Sequence, residues 1–183
     1  MTGITSSTAL WYASRATGVV TLLLLTTVVL LGILVNRQGR LPGLPGFAVN
    51  GLHRNISLLA VVFLAIHVVT AIVDPYVTIG LAAAVLPFAS AYKPFWLGLG
   101  AVALDLLVAL VATSLIRNRL GLRAWRWLHW AAYVCWPVAL AHGLGMGTDR
   151  NTMWVFALTI VCAAAVAGAA TWRFVAAARA GAR

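Results

Sequence analysis

The chain has 183 residues, of which 63% are hydrophobic and 9% charged, with a formal net charge of +10. A soluble domain is about half apolar and about a quarter charged, so this composition excludes an ordinary soluble enzyme and indicates an integral membrane protein. The apolar runs are continuous rather than alternating, which argues for a helix bundle and against a β-barrel.

In chain order, Met1–Ser7 is short and polar, and the first expected span covers about 9–35. Arg15 interrupts its start, Trp11 and Tyr12 suit an interfacial belt, and Gly18 and Gly32 allow close approach of a neighbour or a flat ligand. There is no basic n-region and no small-residue cleavage site, so the expectation is a retained span and not a signal peptide. Asn36–Asn50 reads as a loop, with Arg37, Arg40, Pro42, Gly43, Pro45 and Gly46. The second span is expected over about 52–74, closed by Asp74-Pro75 because the residue before proline disfavours helix. Tyr76–Tyr92 is apolar but short and holds Pro87, which predicts a sixth, short re-entrant or interfacial helix. Spans three, four and five are expected over about 95–116, 127–145 and 152–172. Asp105 falls in the middle of the third, and Pro137 lies inside the fourth.

The sequence thus predicts an all-α membrane protein, a transmembrane helix bundle of five spans forming one domain over 1–183. Arg37, Arg40, Arg54, Arg117, Arg119, Arg123, Arg126, Arg173, Arg179 and Arg183 fall in every second connection and at the C-terminus. Arg15, Lys93 and Arg150 are the remaining cations. This asymmetry predicts a multi-pass protein of the cell membrane with its N-terminus outside and its C-terminus in the cytoplasm. It also argues against nucleic acid as a partner, since the basic residues flank spans instead of forming a soluble face. Cys135 and Cys162 lie in apolar runs, and neither a CxxCH nor a CxxC motif is present, so both read as small apolar residues.

All four histidines lie in two of these spans: His53 and His67 in the second, His129 and His142 in the fourth. Histidine within a membrane is costly and marks function. Fourteen residues of helix rise about 21 Å and thirteen about 19.5 Å. Spans two and four run in the same direction, so His53 matches His129 in depth and His67 matches His142. On span two the fourteen-residue spacing leaves the two rings within about 40° of each other around the helix. On span four the thirteen-residue spacing leaves them more than about a third of a turn apart, a mismatch that Pro137 is expected to relieve by altering the winding. Two facing imidazole pairs suit the axial positions of two stacked b-type haems. A histidine pair also suits a metal ion or a proton path, and a single membrane histidine is commonly a hydrogen-bonded bundle residue. Two doublets at matching depth favour haem.

The doublets His53-x13-His67 and His129-x12-His142, with Ser14-Arg15-Ala16-Thr17-Gly18 on the first span, resemble the ferric reductase-like transmembrane domain. That superfamily includes ferric reductases, NADPH oxidases and the membrane haem subunit of the methionine sulfoxide reductase system. The resemblance covers about Leu10 to Trp172. It implies two haem b groups, one on the cytoplasmic side held by His53 and His129 and one on the outer side held by His67 and His142. Arg15 would pair with a propionate of the outer haem, and Arg54, Arg123 and Arg126 are similar candidates at the inner one. The implied function is di-haem electron transfer across the membrane to an outer acceptor, as the membrane component of an oxidoreductase. An anchoring subunit for a flavoprotein, a quinone-linked cytochrome b subunit and a transporter or metal-binding bundle are the alternatives. No GxGxxG motif is present, so the expected electron donor is separate, a cytoplasmic flavoprotein or quinone, and an extracytoplasmic flavin-binding protein is an expected partner besides membrane lipid. Asp105 is expected to serve a proton route, hold a histidine's second nitrogen, or hydrogen-bond a hydroxyl such as that of Thr113. Phe63, Trp130, Tyr133 and Trp136 are aromatic candidates near the ligands.

Overall fold

The structure, a computed structural model, describes residues 2–36, 45–77, 79–147 and 152–181. Eight helices and no strand occur among them: α1 (Thr2–Asn36), α2 (Gly46–Val73), α3 (Leu81–Val85), α4 (Pro94–Leu115), α5 (Arg117–Leu120), α6 (Leu122–His129), α7 (Ala132–Met146) and α8 (Met153–Gly181). Four are long and apolar enough to cross a membrane, over Thr8–Asn36, Gly46–Val73, Pro94–Leu115 and Met153–Arg179. The chain is therefore a multi-pass, all-helical membrane protein. Arg37, Arg40, Pro42, Gly43, Asp149, Arg150 and Arg183 lie outside the described residues.

Two helices begin earlier than the apolar pattern suggests. α1 starts at Thr2, within the polar N-terminal segment. α2 starts at Gly46 because the Pro45 carbonyl accepts the Ala48 amide at 2.9 Å, opening the first turn before the histidines are reached. It ends at Val73 as expected. There the Asp74 carboxylate accepts the Tyr76 amide at 3.0 Å, an Asx turn that redirects the chain at Pro75. The short helix expected in 76–92 is α3, which runs directly into Pro87 and a turn.

The fourth expected span departs from expectation, being two helices separated by a turn at Trp130–Ala131. The amides of Trp130, Ala131, Tyr133 and Val134 bond three residues back, to Trp127, Leu128, Trp130 and Ala131 respectively. That is the tighter 3₁₀ winding. Pro137, just beyond, has no N–H to offer the Tyr133 carbonyl. At 15 residues, α7 is about 22 Å long, shorter than the hydrocarbon core of about 30 Å. Four continuous spans, and not five, are present among the described helices.

By packing, the chain divides into two compact units, Met1–Val19 with Leu64–Thr148, and Val20–Phe63 with Asp149–Arg183. In the first unit α4 packs along α7 and receives α3. Small residues allow this: Phe88 lies on Gly98 and Trp96 on Gly145, where a methyl group at either glycine would meet the ring. Phe88 takes a left-handed φ of 64° to reach its place, an unusual conformation for a bulky residue. The Cys135 thiol bonds the Ala103 carbonyl at 3.5 Å, and Lys93 donates to the Gly145 carbonyl at 3.4 Å near the end of α7, where a cation is favoured. In the second unit Ile33 and Val49 are the most deeply buried large side chains, each 1% exposed. Thr26, Ser57 and Thr159 satisfy their hydroxyls on carbonyls four residues back, as lipid surroundings require.

Candidate functional site

His67 and His142 come together in the first unit, with ring centroids 6.4 Å apart and planes at 78°. Each is fixed by its other neighbours. The His67 Nδ1–H donates to the Ser14 carbonyl of α1 at 2.7 Å. The His142 Nδ1–H donates to the Trp96 carbonyl of α4 at 2.8 Å. A carbonyl can only accept, so each bond sets the Nδ1–H tautomer and leaves the Nε2 lone pair as the basic nitrogen.

His53, in the second unit, repeats the arrangement: its Nδ1–H donates to the Val28 carbonyl at 3.1 Å. Ser14 and Val28 are fourteen residues apart on α1, and His53 and His67 are fourteen apart on α2. In each unit the α2 histidine thus meets an α1 carbonyl, and the two spacings match. In the first unit, Trp96 lies opposite His142 and Ala103 opposite Cys135, seven residues on along each helix. His129 ends α6 and stacks on Trp125 at 4.9 Å and 30°, while the Trp125 indole N–H donates to the Ser114 hydroxyl at 3.3 Å.

The 3₁₀ turn answers the phase mismatch on the second doublet. Thirteen α-helical residues at about 100° fall about 140° short of a whole number of turns. Winding four of them at about 120° recovers about 80°, leaving His129 and His142 about 60° apart. The tighter winding at Trp130–Val134 lies in the turns just ahead of Pro137.

Arg15 is half-buried beside Ser14, at the level of His67, with its guanidinium 4.7 Å from the centre of the Trp11 ring, a cation–π contact. Arg54, Arg123 and Arg126 are exposed, and Phe63 is half-buried. Asp105 is exposed on α4. The second nitrogens of His53, His67 and His142 go to backbone carbonyls, not to Asp105. The Thr113 hydroxyl donates to the Ala109 carbonyl at 2.7 Å and that of Leu110 at 3.2 Å, not to Asp105. Cys135 and Cys162 are buried free thiols. Trp130 and Tyr133 are tilted together at 5.1 Å, and Trp136 is buried.

Sequence reasoning missed the three acceptor carbonyls, since every residue carries one. It also missed Gly100, against which the His142 ring lies. A signal existed: Gly18 and Gly32 are spaced fourteen residues apart, like His53 and His67.

The family described as ferric reductase like transmembrane component matches residues 17–140, and the chain belongs to it. No curated protein and no solved structure matches the chain.

Proposed function

We propose that this member of the ferric reductase like transmembrane family is a di-haem b protein that carries electrons across the cell membrane to an outer acceptor. The observation that supports it is the His67–His142 pair. Imidazole nitrogens bind transition metals at about 2.0 Å, which with roughly 1 Å from nitrogen to ring centre puts two rings on one metal roughly 6 Å apart. The two centroids are 6.4 Å apart. Among the described residues no cluster of three or more His, Cys, Asp or Glu could hold a metal ion. A pair of imidazoles therefore suits a metal that brings its own remaining ligands, as a porphyrin does, better than a bare ion. When bound, haem would supply one-electron iron chemistry, and His67 and His142 would be the residues that hold it.

In this reading His67 and His142 hold the outer haem, and their Nδ1–H bonds keep Nε2 available. Sequence spacing assigns His53 and His129 to an inner haem. Arg15 offers its guanidinium at the outer level, where a propionate would pair with it. α6 and α7 together make the fifth crossing, which puts the N-terminus outside and the C-terminus in the cytoplasm. A cytoplasmic flavoprotein or the quinone pool supplies electrons, and ferric iron or an extracytoplasmic flavin-binding protein receives them. The test is a reduced-minus-oxidised spectrum with haem quantification on purified protein expressed with adequate haem. Two b-type haems per chain are expected, falling to one in His67→Ala. A wild-type protein without b-type bands overturns the proposal.

A further inference from the structure

Three of the four histidine rings lie against a glycine, and in each case that glycine stands four residues after the carbonyl that the ring bonds. His67 bonds Ser14 and lies on Gly18; His53 bonds Val28 and lies on Gly32; His142 bonds Trp96 and lies on Gly100. In an α-helix the carbonyl of residue i points at the amide of residue i+4. Its second lone pair can be reached only by a group lying alongside that turn. A Cβ at position 18 would lie 3.1 Å from His67 Nδ1 and Cε1. At position 32 it would lie 3.3 Å from His53 Cε1, and at position 100 it would lie 2.5 Å from His142 Cε1 and 2.6 Å from its Nδ1. By contrast, Gly51 and Gly143, both within two residues of a histidine in sequence, have nothing within 4 Å of such an atom.

We propose that Gly18, Gly32 and Gly100 are positioning residues: each is a seat that lets a haem-ligating imidazole reach a helix carbonyl and so tunes the ligand. The inference rests on the haem reading above. The hydrogen bond pulls Nδ1–H toward the carbonyl and raises the basicity of Nε2, which strengthens its bond to ferric iron. The seats hold α1 against α2 and α4 against α7 by the same device.

The test compares haem-loaded Gly18→Ala, Gly32→Ala and Gly100→Ala with Gly51→Ala and Gly143→Ala. The readouts are haem stoichiometry, low-spin ferric EPR and midpoint potentials by redox titration. Gly100→Ala is expected to weaken haem retention at the His67–His142 site by about 10–100-fold, the usual scale for loss of an outer-shell partner. Gly18→Ala, with more room, retains that haem but shifts its EPR signal and raises its potential, because a weaker imidazole donor stabilises ferric iron less. Gly32→Ala changes the other haem in the same sense and to a smaller degree. Gly51→Ala and Gly143→Ala match the wild type. If the wild type binds haem and the Gly18 and Gly100 variants match it in spectrum and potential, the seats are refuted while the functional reading stands. Equal shifts in Gly51→Ala or Gly143→Ala refute them as well. A wild type without b-type haem removes the functional reading and this inference together. Gly18→Ala keeps the comparison decisive should Gly100→Ala not fold.

Discussion

Inserting one alanine between Trp130 and Ala131 tests whether the 3₁₀ turn sets the second doublet. One added helical residue rotates everything on one side by about 100° and advances it by about 1.5 Å. α7 cannot follow, since it is tied to α4 through the Trp96–His142 and Ala103–Cys135 bonds and the Trp96–Gly145 contact. The rotation therefore falls on α6. A ring about 5 Å from the helix axis, turned through about 100°, moves about 8 Å, several times the length of a bond to iron. His129 leaves its place while His142 keeps its own. The expected result is loss of the haem assigned to His53 and His129, with the His67–His142 haem retained. Haem per chain falls from two to one, measured by pyridine haemochrome, and the surviving EPR signal is the one that Gly18→Ala shifts. An insertion variant that keeps both haems, or that loses the His67–His142 haem and keeps the other, would refute the account of the turn.

Other substitutions have equally specific outcomes. Trp125→Leu removes the ring stacked on His129 and the bond to Ser114, so potentiometry should find the potential of one haem altered and that of the His67–His142 haem unchanged. Arg15→Gln removes a cation beside the seat of His67, and the lost charge favours the ferric state, so the potential of that haem should fall. Gly98→Ala drives a methyl group into the Phe88 ring; overpacking of this kind costs about 1–3 kcal/mol and should lower the apparent Tm in detergent, whereas Gly80→Ala, with open space around it, should leave it in place. Cys135→Ala loses one weak bond to Ala103 and should cost about 1 kcal/mol with haem content unaltered, a result that separates the thiols from the ligand set.

The parts of this molecule legible in its sequence are those written in side-chain chemistry. Length and apolarity marked the four long spans, Asp74-Pro75 marked the end of α2, and the histidine spacing paired His67 with His142. The break at Trp130–Ala131 was not legible, because neither residue is a helix breaker. The tight bonds run up to Val134, and Pro137, the one marked residue nearby, stands just beyond them. Helix starts at Thr2 and Gly46 were missed for a related reason: threonine, serine and glycine have weak local preferences that tertiary structure overrides. Asp105 is a different case. It was read as serving a proton route, a histidine or a hydroxyl; it is exposed on α4, and the second nitrogens of His53, His67 and His142 go to backbone carbonyls.

That choice of backbone follows from the medium. Imidazoles that bind metals are commonly held by a carboxylate or a carbonyl. In lipid a carboxylate carries a desolvation cost of several kcal/mol or a proton that abolishes its accepting role. The chain has three acidic residues in all, each an aspartate, and the Nδ1–H of His53, His67 and His142 goes to a backbone carbonyl in each case. A helix carbonyl is neutral, already oriented, and has a lone pair to spare after its own ladder bond. The only requirement is access, and access is what a glycine four residues on supplies. Fourteen-residue spacing on both α1 and α2 provides this twice, once in each unit. Thirteen-residue spacing on the other doublet keeps it once, at Gly100, and needs the extra winding at Trp130–Val134 to bring His129 and His142 to within about 60° of one another. The two doublets thus solve the same problem with different means, and the two haem sites they would build are unequal by construction.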